Sequence, residues 1–242
     1  MRNRAGVGIA VSGRKLALCL LSAGPWIIPA AAQSTGDELR PELGIYIQQG
    51  PLVRFELVDS FRGPQSSQDW QGDFAFYIAT ALKPVFRQEL RDEPDVFRNK
   101  YLVFRAGYRY QTSLTNATSA SENRGILELT PRYILPWQLV ISDRNRGEFR
   151  FIQGRPFSTR YRNRLRLERD VHYRGLNCTP YVYDEIFYDT RYNQLTPNLY
   201  ALGAEFPVRL HVVLEPYYLR QNGSHSTPAH INAVGFKLNL YF

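Results

Sequence analysis

The sequence predicts an all-β protein: an antiparallel transmembrane β-barrel of about twelve strands, with ten as the alternative count, behind a cleaved signal peptide. Three observations carry this expectation. Apolar residues recur on alternate positions over stretches of about ten residues, the geometry of strands with unlike faces. Beyond residue 32 no stretch approaches the roughly 18 to 20 consecutive apolar residues of a spanning helix. The last ten residues place Val234, Phe236, Leu238, Leu240 and the terminal Phe242 on one face. With 44% hydrophobic and 14% aromatic residues among 242, the chain is neither disordered nor a small disulfide scaffold.

The N-terminal element is read as an export signal. Arg2, Arg4, Arg14 and Lys15 stand without any acidic residue in the first 32 positions, and the apolar stretch 16–32 ends in Pro29-Ala-Ala-Ala32-Gln33. Residues 1–32 are therefore expected to form a signal peptide cut after Ala32. The apolar run is short and broken by Ser22, Gly24 and Pro25, which argues against a retained anchor, and Leu18 before Cys19 argues against lipoprotein processing. The remaining domain, 33–242, keeps 26 basic and 22 acidic side chains, so the formal +8 of the whole chain falls to +4. Its single cysteine, Cys178, leaves no partner for an internal disulfide.

Within that domain the period-two pattern predicts strands at 42–48, 53–61, 72–82, 85–91, 101–111, 124–134, 137–152, 157–172, 179–190, 199–206, 209–221 and 231–242. The even count suits a barrel in which every neighbour is antiparallel. In 101–111, Leu102, Phe104, Ala106, Tyr108 and Tyr110 oppose Arg105 and Arg109. In 124–134, Leu127, Leu129, Pro131 and Tyr133 oppose Arg124, Glu128, Thr130 and Arg132. The stretch 137–152 sets Trp137, Leu139, Ile141, Phe149 and Phe151 against Arg144, Arg146, Glu148 and Arg150. The most polarised segment is 157–172, where Arg160, Arg162, Arg164, Arg166, Glu168 and Asp170 share one face and Tyr161, Leu165, Leu167 and Val171 the other.

Alternation alone fits a soluble sandwich with the charges outward as well as an outer-membrane barrel with the charges in the lumen. The C-terminal stripe ending in Phe242 favours the barrel, because it resembles the closing strand of bacterial outer-membrane barrels, where the terminal aromatic is part of the signal read by the assembly machinery. Short connections at Leu135-Pro136 and Pro207-Val208 alternate with longer polar ones at 112–123 and 222–229. Lys83-Pro84 reads as a tight turn and 92–100 as a longer connection, the reverse of the usual order. Trp70 and Trp137 fall at strand ends, where an interfacial aromatic girdle places them.

The interior would then be rich in arginine. The mature chain holds 23 Arg and three Lys, and Arg presents a planar fork of donors to carboxylate or phosphate. The candidate lumen residues are Arg144, Arg146, Glu148, Arg150, Arg160, Arg162, Arg164, Arg166, Glu168, Asp170, Glu185, Glu205 and Glu215. The acids nearly match the arginines, which favours a mutually neutralised, filled interior; an open anion-selective pore needs arginine in excess on one wall, as 160–166 offers.

Four strings, Asp143-Arg-Asn-Arg-Gly-Glu-Phe-Arg150, Arg160-Tyr-Arg-Asn-Arg-Leu-Arg-Leu-Glu168, Pro180-Tyr-Val-Tyr-Asp-Glu185-Ile-Phe-Tyr-Asp189 and Leu214-Glu-Pro-Tyr-Tyr-Leu-Arg-Gln221, are similar to the bacterial family named domain of unknown function 2490. The resemblance covers about 70–242. It implies an outer-membrane barrel and lends no activity.

The functional expectation is a monomeric outer-membrane barrel, either a narrow pore for small acidic solutes or a plugged structural barrel, with membrane lipid and the barrel assembly machinery as partners. A lipid-modifying enzyme and a soluble periplasmic ligand-binding barrel are the alternatives. For catalysis the chain offers His172, His211, His225 and His230, and Ser224 beside His225 in an expected outer loop, which more often form a solvated turn than a nucleophile with its base. There is no HExxH, P-loop or paired CxxC, so neither metal nor cofactor is expected. Nucleic-acid binding is disfavoured by the corrected charge and by an alternation that keeps the arginines off a continuous outer surface.

Overall fold

The computed structural model describes residues 35–64, 70–82, 95–115, 120–173, 175–223 and 230–242. The signal peptide expected at 1–32 and the strand expected at 85–91 lie outside the described residues, as do Lys83-Pro84, Ser224 and His225. The strands are β1 (Thr35–Gln49), β2 (Val53–Pro64), β3 (Gln71–Leu82), β4 (Leu102–Ser113), β5 (Glu122–Leu135), β6 (Leu139–Ile152), β7 (Ser158–Arg169), β8 (Val171–Tyr173), β9 (Leu176–Asp189), β10 (Gln194–Arg209), β11 (Val212–Asn222) and β12 (His230–Tyr241).

Eleven of these strands close a barrel in chain order, β1 to β7 and then β9 to β12, while β8 pairs with β9 as a short hairpin of three residues. The strand expected at 85–91 lies outside the described residues, and β3 pairs directly with β4; β8 falls within the end of the expected strand 157–172 and stands outside the ring. Hairpin-linked strands reverse direction at every step, so an odd ring must close with one parallel pair. That pair is β1 and β12, in register from Thr35 opposite His230 to Tyr46 opposite Tyr241. All other pairings are antiparallel.

Prolines explain where strand ends differ from expectation. β1 begins seven residues before the expected Glu42, and its ladder to β2 skips from Leu39 opposite Gly63 to Glu42 opposite Ser60 around Pro41, which has no N–H to donate. β10 runs past Pro197 and Pro207, with register shifts between Thr196 and Leu199 and between Pro207 and Arg209. The short turn expected at Pro207-Val208 therefore falls at Leu210-His211. The turn at Pro136 is a 3₁₀ turn, Pro136–Gln138, whose Trp137 adopts φ 64° and is 79% exposed.

The two faces of the wall are inverted relative to a soluble protein. Outward positions carry exposed apolar side chains such as Leu57, Phe76, Ile78, Leu127, Val182, Leu202 and Val234, whereas the buried inward positions carry Arg54, Glu56, Glu128, Arg146, Glu148, Glu185 and Asp189. Close inner packing uses a repeated device: Tyr77, Tyr181 and Tyr217 stand directly opposite Gly107, Gly203 and Gly235 on the next strand. A Cβ at Gly235 would lie 2.0 Å from the Tyr217 ring, so the tyrosine lies flat only because the partner is glycine.

At the rim that bears Phe242 a short 3₁₀ turn packs against the inner wall. The 3₁₀ turn Val96–Asn99 puts Phe97 at 1% exposure against Ala79, Ala81 and Val103. Arg54 stacks 4.4 Å above the Phe97 ring and pairs with Asp95, and Arg132 donates to the carbonyl oxygens of Phe97 and, at 3.2 Å, Lys100.

Candidate functional site: the arginine lumen

Because side chains alternate across a strand, every second residue of β4 to β9 points inward, and the register decides which of them meet. Arg105 lies opposite Glu128, Arg164 opposite Glu185, and Arg160 opposite Asp189. Three rows instead put like charges side by side: Arg109 with Arg124 with Arg150, Arg146 with Arg162, and Arg144 with Arg164. Directly opposed like charges are unfavourable unless something between them is negative.

Buried carboxylates supply most of that charge. Glu185, with its side chain at 0% exposure, accepts from Arg162 Nε at 2.5 Å, Arg164 Nε at 2.5 Å and Arg144 Nη2 at 2.9 Å. Glu128 accepts from Arg146 Nε at 2.7 Å and Arg105 Nη2 at 2.9 Å, and Arg105 reaches on to Glu56 at 2.8 Å. Glu148 lies 3.2 Å from Arg162. Near the other rim Glu122 binds both Arg124 and Arg150, and Asp189 accepts from Arg150 at 2.5 Å and Arg160 at 2.8 Å. Each acid is shared, and breaking one such buried set leaves several charges without a partner.

Above this layer lies a cavity of about 810 Å³. It extends from Gln71, Gln111 and Gln221, near the rim away from Phe242, down to Arg144, Arg164 and Lys237 at mid-height. Its wall includes eleven arginines and Lys237 but only three carboxylates, Glu42, Asp73 and Glu122. The acids that neutralise the arginines stand mostly behind them, so guanidinium groups form the surface that a solute would meet.

The residues expected to line the lumen separate into three places. Arg144, Arg146, Arg150, Arg160, Arg162 and Arg164 line the cavity, with Glu148 and Glu185 buried beneath them. Arg166, Glu168, Asp170 and Glu205 lie toward the rim of Phe242, where Arg98 contacts Glu168 at 3.1 Å, Glu205 at 2.8 Å and Asp170 at 3.5 Å. Arg166 pairs with both Glu168, at 2.6 Å, and Glu205. Glu215 sits apart on β11, 3.1 Å from Lys237 and 2.5 Å from the Tyr181 hydroxyl. Among the described residues, ion pairs cross the interior near the Phe242 rim, and the 810 Å³ cavity lies toward the other.

In the sequence, Arg105, Arg109 and Glu128 fall on charged strand faces but not among the candidate lumen residues, and Arg98, Glu56, Glu122 and Asp189 are passed over. The signal was present for Asp189, in phase with Glu185, and for Glu56, in phase with Arg54 on its predicted strand. Glu122 preceded the predicted strand start, and Arg98 lay in an expected connection, beyond the reach of alternation. In the C-terminal stripe, Val234, Phe236 and Phe242 are exposed on the outer wall and Leu238 and Leu240 are half-buried. His172 pairs with Asn177 at 2.6 Å, His211 stacks on Phe242, and His230 contacts Asn222 at 2.9 Å. Among the described residues no group of three or more His, Cys, Asp or Glu is arranged to hold a metal ion.

A family model described as protein of unknown function (DUF2490) matches residues 64–232. The chain belongs to the DUF2490 family. The match takes in β3 to β11 and therefore all of the arginine rows, whereas β1, most of β2 and most of β12, including the parallel closing pair, lie outside it. No curated protein and no solved structure matches the chain.

Proposed function

We propose that this DUF2490 member is an outer-membrane barrel whose lumen binds a small acidic solute. The observation that carries the reading is the cavity wall, with eleven arginines and one lysine over three carboxylates. Guanidinium groups bind carboxylate or phosphate through paired, charge-assisted hydrogen bonds, and a hollow lined this way favours an anion. The membrane part of the reading is supported by the exposed apolar outer wall and by ring strands of 11 to 16 residues, longer than the roughly 9 to 11 that a tilted strand needs to cross. Connections at 50–52, 136–138 and 210–211 are short and share the rim of Phe242, as periplasmic turns do. On that orientation the cavity faces the outside of the cell and the 3₁₀ turn closes the periplasmic side. The exposed stripe of Val234, Phe236 and Phe242 then serves both lipid contact and recognition by the assembly machinery.

The test is titration of the full chain in lipid nanodiscs with phosphate and succinate. Saturable binding that weakens as salt rises, and that falls about tenfold in Arg160→Gln while heat-modifiable mobility on a gel is unchanged, is the expected result. Folded protein that binds neither anion overturns the proposal, and recovery of the chain in the periplasm without detergent overturns the membrane location.

A further inference from the structure

Resting on the acidic-solute reading, we infer that the ligand is an organic acid with an apolar body: its carboxylate meets Arg109, and its body lies on an apolar patch across the lumen. Arg109 is a poorly satisfied cation of the wall. It donates to the Tyr77 hydroxyl at 3.0 Å, its nearest carboxylate is Asp73 at 3.9 Å, and its buried Nε has no hydrogen-bond partner among the described residues. It also stands directly opposite Arg124, whose own donors are taken by Glu122 and Gln111. Arg62, on the other side of Asp73 in the same wall, binds only Gln71 among the described residues. An incoming carboxylate at the cavity face of Arg109 would therefore relieve a like-charge contact and give this guanidinium the close anionic partner that Asp73, at 3.9 Å, does not supply.

The opposite wall is of another kind. Phe187, Leu199 and Leu219 line the cavity and belong to an apolar cluster on the inner faces of β9 to β12. β10 is five strands from β4 one way round the ring and β11 is five the other way, so this patch faces Arg109 across the lumen. A wholly hydrated anion has no use for an apolar wall, and an uncharged ligand has none for the arginines. A molecule with one acidic head and a body of one or two rings matches both surfaces and fits a cavity of about 810 Å³.

The experiment compares 2-naphthoate, 2-naphthylmethanol and inorganic phosphate by equilibrium dialysis against the full chain in nanodiscs, with empty nanodiscs subtracted. Naphthoate is expected to bind at least about tenfold tighter than either of the others. Arg109→Gln should weaken naphthoate about tenfold and leave naphthylmethanol unchanged; Leu219→Thr should weaken naphthoate and leave phosphate unchanged. If phosphate equals naphthoate, the apolar-body inference fails while the acidic-solute reading stands. If naphthylmethanol equals naphthoate, the acid head is wrong, and if no anion binds, the underlying reading itself falls. The wild-type comparison decides these outcomes even if a variant fails to fold.

Discussion

Glu185 is the residue on which most depends. Its two oxygens take three guanidinium groups from β6 and β7, and its side chain is wholly buried. Glu185→Gln keeps the shape and removes the charge, leaving Arg144, Arg162 and Arg164 to repel one another where two of them already stand in opposed rows. We expect a loss of about 3 to 5 kcal/mol, read as a lowered urea midpoint for unfolding from lipid vesicles. Adding Arg164→Met should restore part of it, because the double variant removes one of the stranded cations; strict additivity of the two changes would show that the pair does not interact.

At the scale of elements, the 3₁₀ turn Val96–Asn99 has the part of a plug in the proposed function, and conduction tests it. Phe97 is packed against Ala79, Ala81 and Val103, and Arg98 is held by Glu168, Glu205 and Asp170, so this short segment is tied to the wall by both apolar and ionic contacts. Planar bilayers carrying the wild type are expected to stay silent. The double variant Phe97→Ser, Arg98→Ala should yield steps that prefer anions; steps of equal size from the wild type would mean that the turn does not close the rim. This is also the element least legible in the sequence. Alternation identifies a strand because both faces write the same period, and it located nearly every wall strand, but a plug is one apolar residue and one charge in a connection, without any period. Pro41, Pro197 and Pro207 concealed strand ends for a related reason: each removes a ladder donor and reads locally as a break, although flanking pairs carry the strand through.

For the whole molecule, the inverted distribution of apolar and charged side chains was the most legible property, since it requires only the phase of each strand. The ring number was not, because an eleven-strand and a twelve-strand barrel write the same alternation and differ only in how the ends meet. The proposed location in lipid makes a sharp demand on the outer wall. Phe76 lies midway along β3 and is 43% exposed, so Phe76→Arg should cost about 2 to 4 kcal/mol in a bilayer. In a water-soluble barrel the same exchange at an exposed site would change stability by no more than about 0.5 kcal/mol. Unfolding titrations in vesicles separate the two.

The parallel pairing of β1 with β12 places Thr35 and Phe242 at opposite mouths of the ring. A circular permutant that joined them would therefore need a connector as tall as the wall, on the order of ten extended residues, rather than the two or three that suffice between adjacent antiparallel ends. If the barrel spans a bilayer as proposed, fluorophores placed at the two positions in an oriented vesicle will be quenched from opposite compartments, one by a reagent added outside and the other only after entry.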